Sequence, residues 1–283
     1  MTKPMTKTSP KKPLKTTTIK TLADIAILRE GGAKLGKILN TLRDSVRIGM
    51  SSGELEDLAR DLTAQEEATP SFLGYTPAIA HRPYPAALCL SVNDVVVHGI
   101  PNEKPFIIKE GDVLTLDMGI IYKGLFVDAA ITMPVGEVDL KGRKLIESGE
   151  VCLSAVVEAL KNWPKDYPKG IKTGDIGHVV EKNLAYYRKT YGFNVVEIFG
   201  GHGVGYSVHE DPFIPNFGMK GQGVTIKPGM VIAIEPIIAE GKGEVKIDKD
   251  GYTYRTIDGK RATHSEHTIL ITETGAEVLT EAN

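Results

Sequence analysis

The 283 residues are 41% hydrophobic and 25% charged, values of an ordinary globular chain with one or two domains. A formal net charge of −2 gives no reason to expect nucleic acid or an anionic membrane as the main partner, and no run approaches the roughly 18 apolar residues of a membrane span. Two cysteines, Cys89 and Cys152, argue against a disulfide framework or a thiolate zinc site and fit a reducing, cytoplasmic setting.

Met1 to Lys20 carries six lysines, three prolines and no acid. Such a stretch has too little apolar surface to fold alone, so residues 1–18 are predicted to be a disordered, solvated basic tail, with contact to the ribosome as the alternative. From Thr21, the apolar positions Leu22, Ile25, Leu28, Leu35, Ile38, Leu39 and Leu42 follow helical spacing, with Thr21 or Asp24 at the start. A second helix is predicted with Ser52 as its N-cap. Residues 70–105, with their prolines, aromatics and short apolar runs, read as loops and strands.

Between Gly111 and Asp128, an apolar strand carrying Asp117 leads through Lys123-Gly124 into a second strand carrying Asp128. A two-residue turn there sets Asp117 across from Ala130 and places Asp128 two residues away on the same face. Two carboxylates on an otherwise apolar hairpin ask for a cation or a solvated surface. Further along, Arg143 to Leu160 reads as helix, Trp163 to Gly170 as a proline-broken connection, and Lys172 onward as another helix. Val195 to Phe199 is strand-like and leads into a glycine run, Gly200 to Gly205, that holds His202. Such a run is a poor helix, but it offers a backbone that neighbours can approach closely. Strand patterns ending at Glu235 and spanning Arg261 to Thr272, with Glu266 inside, complete the chain.

The chain also aligns with itself. Ile108–Asp117 lies over Ile226–Glu235 at an offset of 118, acid on acid, and Gly49–Leu55 lies over Gly170–Ile176 at an offset of 121. Two such matches predict related halves, about 19–140 and 141–283, of a single domain spanning 19–283. Their acid-bearing strands would face one another near a pseudo-twofold axis.

Asp117, Asp128, Glu235, Glu266 and His202 form an oxygen-rich set with one imidazole. Taken singly, each is more simply a surface, turn or loop residue. Taken together they suit manganese, iron, cobalt or zinc. Four carboxylates balance two divalent ions, which at ~3.5–4 Å separation can lower the pKa of a shared water to about 7.

At these residues the chain resembles the type I methionine aminopeptidases of the pita-bread fold. The resemblance rests on NDVVVHGIP from Asn93, the Asp117–Asp128 hairpin, GHGVGYSVHEDP from Gly201, PGMVIAIEP from Pro228 and EHT from Glu266. It implies an α+β fold of two duplicated halves, with a curved antiparallel sheet covered by helices. It further implies two divalent metal ions, with Asp117 on one, His202 and Glu235 on the other, and Asp128 and Glu266 bridging.

The implied activity is hydrolysis of the N-terminal methionine from nascent chains with a small second residue, by attack of a metal-bridged hydroxide. Glu235 would shuttle the proton, and His98 and His209 would contact the substrate amide and the tetrahedral intermediate. Phe72, Tyr75, Tyr84, Cys89, Val208 and Tyr252 would wall the methionine pocket, and a monomer is expected. Residues 76–83 form a longer link than is usual in the family. His264 and Ser265 stand where glutamine and an aromatic residue are common, departures that bear on pocket shape rather than on the metal ligands. A proline-directed peptidase of the same fold is the enzymatic alternative, although such relatives generally carry an extra N-terminal domain. A non-catalytic binding module is the other alternative, and loss of ligands would be its mark. Type II relatives carry an insertion between the regions of His202 and Glu235; here only the 32 residues 203–234 separate them.

Overall fold

In the computed structural model, which describes residues 17–77 and 80–281, the first three helices begin where side chains satisfy the first free N–H groups. Helix α1, Leu22–Ser45, uses both expected starters. The Thr21 hydroxyl accepts the Asp24 N–H at 3.2 Å, and the Asp24 carboxylate accepts the Thr21 N–H at 3.0 Å. Helix α2, Ser52–Gln65, is capped by Ser51 rather than Ser52. Glu54, three residues after Ser51, accepts its N–H at 2.7 Å. Ser52 instead turns inward, donating to the Pro101 carbonyl at 2.7 Å. Helix α3, Leu140–Lys161, starts before the expected Arg143 because Asp139 accepts the Gly142 N–H at 2.7 Å. The predicted connection from Trp163 contains one short helix, α4, Trp163–Asp166, whose proline lies in the first turn, where no N–H is needed. Helix α5, Thr173–Tyr191, ends on Gly192 at φ +78°.

The strands pair antiparallel throughout the described residues. The hairpin joins Val113–Tyr122 to Leu125–Pro134 in unbroken register, with Asp117 opposite Ala130 and Gly119 opposite Asp128. Its turn residues Lys123 and Gly124 both have positive φ, +47° and +86°, the twist a tight hairpin needs. A five-stranded sheet follows the order Gly275–Val278, His267–Thr272, Val231–Ile234, Gly200–Gly203, Glu210–Pro215.

Two expected strands are interrupted. Val195–Phe199 forms ladder only at Asn194–Val195. The Arg261–Thr272 run splits into Ala262–His264, paired with Ile237–Ala239, and His267–Thr272, paired with Val231–Ile234, with Glu266 at the break.

Burial explains the layering. Leu28, Leu35 and Leu42 of α1 share one core with Leu114, Leu116 and Met118 of the hairpin. Val156 and Leu160 of α3 and Val180 and Leu184 of α5 share another with Ile232, Ile234 and Ile269. Corresponding elements keep the offsets read from the sequence: Leu22 and Leu140 open the first helix of each set, and Val113 and Val231 open the acid-bearing strand, both 118 apart.

The two sets are stitched together along one line. Asp128, Ala130 and Thr132 of the hairpin face Thr268, Glu266 and His264. The Asp128 N–H donates to the Thr268 hydroxyl at 2.9 Å, which donates to the Asp128 carbonyl at 2.7 Å. Glu266 and Ala130 exchange backbone hydrogen bonds. The Thr132 hydroxyl accepts the His264 N–H at 3.0 Å and donates to the His264 carbonyl at 2.7 Å.

Lys20 departs from the tail reading. Its amine is buried 2.7 Å from the Glu210 carboxylate, beside His209 in sequence, and burial lowers its pKa. The other lysines of that segment, and residues 1–16 as a whole, lie outside the described residues.

Candidate metal centre

Each acidic or imidazole group reaches a common cavity from a different piece of backbone. Asp117 and Asp128 project from the hairpin, and the unbroken register puts them on one face. Glu235 follows the last residue of Val231–Ile234, and Asn216 donates to its carbonyl at 2.8 Å. Glu266 is held by its backbone exchange with Ala130.

His202 comes from the glycine run, where the need for glycine is steric. A Cβ on Gly201 would sit 2.2 Å from the Ala233 carbonyl oxygen, and one on Gly203 would sit 2.4 Å from that of Asp211. The close approach lets His202 pair with Ala233 in the sheet. Its Nδ1 lies 2.9 Å from the Gly203 carbonyl, which takes the ring N–H and leaves the Nε2 lone pair toward the cavity. Nε2 stands 3.5 Å from Glu235 Oε1.

Ligand atoms of Asp128, His202 and Glu266 all lie within 4.8 Å of one another. Asp117, Asp128, Glu235, Glu266 and His202 are all buried and all line the same cavity of about 490 Å³. Among the described residues, no lysine or arginine lines it.

The electrostatics are those of anions lacking a counter-charge. Burial, with Asp128 nearby, holds the Asp117 carboxyl well above the usual carboxylate range. Burial and Glu266 do the same to Asp128, and burial, Glu266, Asp128 and Asp117 to Glu235. Burial pushes Glu266 up to about 8. Asp128 Oδ1, Glu266 Oε1 and both ring nitrogens of His264 are buried with no hydrogen-bond partner among the described residues. Unpaired polar atoms of this kind cost about 1–3 kcal/mol each, and divalent cations would satisfy them. The donor set therefore fits metal ions.

His98 and His209 also line the cavity. His98 occupies left-handed backbone at φ +58°, a strained conformation for a residue with a Cβ. Its ring stands edge-on to Phe199 and Tyr254, 6.0 Å from each centroid, and burial lowers its pKa to about 4. His209 is solvent-exposed where its ring opens onto the cavity. Loss of hydration at this mouth, then His202 and His98, lower it well below its ordinary value. Tyr75 Oη is 3.3 Å from His209 Nδ1.

Of the expected pocket walls, Phe72, Tyr75, Tyr84, Cys89 and Tyr252 line the cavity. Val208 is buried but does not line it; Phe199, Tyr254, Ile198 and Phe213 do, from segments with no pocket signal in the sequence. The long 76–83 link contributes Pro77 and Ala80 to the rim, and the Arg82 carbonyl accepts the Tyr252 hydroxyl.

The resemblance makes His264 a departure bearing on pocket shape and substrate range, not on the metal ligands. His264 lies inside the acid cluster, with Nε2 3.5 Å from both Glu235 Oε2 and Glu266 Oε2. Strand alternation pointed there, since residues two apart share a face and His264 precedes Glu266 by two.

Residues 26–273 match the model of metallopeptidase family M24. The methionine aminopeptidase of Aquifex aeolicus is 41% identical over 262 residues, covering 91% of this chain and 96% of that protein. The crystal structure of the methionine aminopeptidase from Thermotoga maritima superposes with a TM-score of 0.85 at 38% identity, covering 94% of this chain and all of that one. The prolidase of Pyrococcus furiosus shares the fold, with a TM-score of 0.69 at 24% identity, over 94% of this chain and 66% of that one.

Proposed function

The chain belongs to metallopeptidase family M24, with methionine aminopeptidases among its relatives, and from that premise we propose that it hydrolyses the peptide bond after an N-terminal methionine. One observation carries the reading. Four buried carboxylates and His202 meet in a cavity that no lysine or arginine among the described residues lines, and whose walls include Phe72, Tyr75, Tyr84, Cys89, Phe199 and Tyr252. The carboxylate floor suits metal-assisted hydrolysis, and aromatic walls suit the polarizable thioether of methionine.

Asp117, Asp128, His202, Glu235 and Glu266 would hold two divalent ions, drawn from manganese, iron, cobalt or zinc. When bound, such ions supply Lewis-acid polarisation and a water acidified to a pKa of about 7. The chain does the rest. Glu235, at the cavity floor, takes up a proton and returns it to the departing amine. His98, buried and lowered to about 4, and His209, lowered by loss of hydration at the cavity mouth, are both neutral near pH 7, so each offers an N–H rather than a full charge. In the tautomer whose Nδ1 accepts from the Tyr75 hydroxyl 3.3 Å away, the His209 N–H sits on Nε2 and can stabilise the charge developing on the substrate carbonyl oxygen. The substrate side chain lies against Phe72, Tyr84, Cys89 and Tyr252, and a small second residue fits the rim.

Release of methionine from a Met-Ala-Ser peptide, measured beside an Ala-Pro peptide with each of the four metals, tests the reading. Turnover of Met-Ala-Ser is expected. No turnover with any metal would sink it, and preference for Ala-Pro would move the chain to the proline-directed branch.

None of the described helices is long and apolar enough to cross a membrane. We place the enzyme in the cytoplasm as a monomer acting on nascent chains. The basic N-terminal segment is read as a solvated tail; loss of ribosome co-sedimentation on deleting residues 1–18 would show it to be a ribosome contact instead.

A further inference from the structure

We infer that His264 supplies a second imidazole donor to the metal centre, on the ion held by Glu235 and Glu266. The inference rests on the reading of this cavity as a metal site and goes beyond it, since that reading assigns one imidazole, His202.

The first argument is spacing. His264 Nε2 lies 3.5 Å from Glu235 Oε2 and 3.5 Å from Glu266 Oε2. That is longer than a nitrogen–oxygen hydrogen bond, which falls at about 2.7–3.2 Å. It matches two donors sharing one ion: metal–ligand bonds of about 2.0–2.2 Å at ordinary coordination angles separate neighbouring donor atoms by roughly 3.0–3.5 Å. The site contains its own comparison, because His202 Nε2 stands at the same 3.5 Å from Glu235 Oε1.

Satisfaction of polar atoms is the second argument. His264 is buried, and among the described residues neither ring nitrogen has a hydrogen-bond partner.

The ring is also held in place. Thr132 grips the His264 backbone from both sides, and its hydroxyl lies 2.8 Å from that of Thr115. His264 is therefore anchored to the strand that carries Asp128. A donor fixed in this way on a regular element is pre-organised for a metal.

The test counts imidazoles on the metal. The intact protein is loaded with two equivalents of cobalt(II), and uptake is followed by titration calorimetry. Proton NMR then detects the strongly shifted, solvent-exchangeable ring N–H signals that coordinated histidines show. Two such signals are expected from the wild type, one from His264→Gln and one from His202→Gln. Calorimetry of His264→Gln should show affinity for one of the two ions reduced by about 10–100-fold or more, the loss typical even of outer-shell partners. One shifted signal in the wild type, unchanged in His264→Gln, would overturn the inference while leaving the metal site standing. No cobalt uptake by the wild type would instead overturn the metal site itself. The wild-type count decides the question even if a variant misfolds.

Discussion

The two acid-bearing strand pairs reach the same cavity by different means. Asp117 and Asp128 lie on one hairpin, joined by a two-residue turn and ten paired positions. Glu235 and Glu266 flank an excursion that builds Ile237–Ala239, Val245–Ile247, Tyr254–Thr256 and Ala262–His264 and delivers Tyr252, Tyr254 and His264 to the cavity. Local pairing suffices for the first couple. The second depends on Ala130, Thr132 and Asp128 gripping Glu266, His264 and Thr268 across the molecule. The excursion therefore adds Tyr252, Tyr254 and His264 to the cavity, while Phe72, Tyr75, Tyr84 and Cys89 come from the half that carries the hairpin.

If the two couples are chemically equivalent in spite of this, Asp128→Ala and Glu266→Ala should each cut kcat/KM for methionine release by at least ~1,000-fold, about 4 kcal/mol of barrier. A loss below tenfold in either would break the equivalence.

The next effect concerns pH. Glu266, at about 8 in the folded chain, stands above the ~4.3 of an unfolded glutamate. Its contribution to stability is present below that unfolded value and is lost as pH rises through about 8. Asp117, Asp128 and Glu235 shift in the same direction. His98 and His202, lowered to about 4, act oppositely: their contribution is present above about 6.5 and lost as pH falls through about 4. Above pH 6.5 the carboxylates alone decide, so Tm of the chelator-treated protein should fall between pH 6.5 and 8.5, and saturating metal should remove the fall. A flat Tm in the chelated protein would contradict the uncompensated-charge picture.

Smaller changes separate the stitching from the turn. Thr268→Val strips the Asp128 N–H of its partner in a buried setting and should lower unfolding free energy by about 2 kcal/mol in denaturant titrations, with kcat falling as well. Gly124→Ala puts a Cβ at φ +86° with open space around it, so only the backbone cost of about 1 kcal/mol applies. Turnover in that variant should stay within about twofold. If Gly124→Ala hurt turnover more than Thr268→Val, the hairpin would not be the self-sufficient half.

Much of this arrangement was legible in the residues because it is local. Strand alternation and a Lys-Gly turn place two aspartates on one face whatever surrounds them, caps and 3.6-residue spacing mark four helices, and a glycine run around one histidine announces close backbone approach. The self-alignment named Glu235 as the counterpart of Asp117, and the acid-on-acid match survives as the first residue after a strand. The shift of the α2 cap to Ser51 shows how narrow the margin is when two serines adjoin, since only the reach of Glu54 chooses between them.

What the chain order alone could not decide involves distance between segments far apart in sequence. Lys20 looked like the end of a solvated tail until Glu210 buried it, 190 positions away. Val208 stood next to a cavity histidine, yet it packs behind the wall. His264 passed for a detail of pocket shape until Thr132 fixed its backbone and two glutamates faced its ring. The sequence by itself determined which residues alternate, cap and turn, because those depend on neighbours a few bonds away. Only the tertiary structure decided which imidazoles meet which carboxylates, because that rests on side-chain reach across strands brought together by burial of two separate cores.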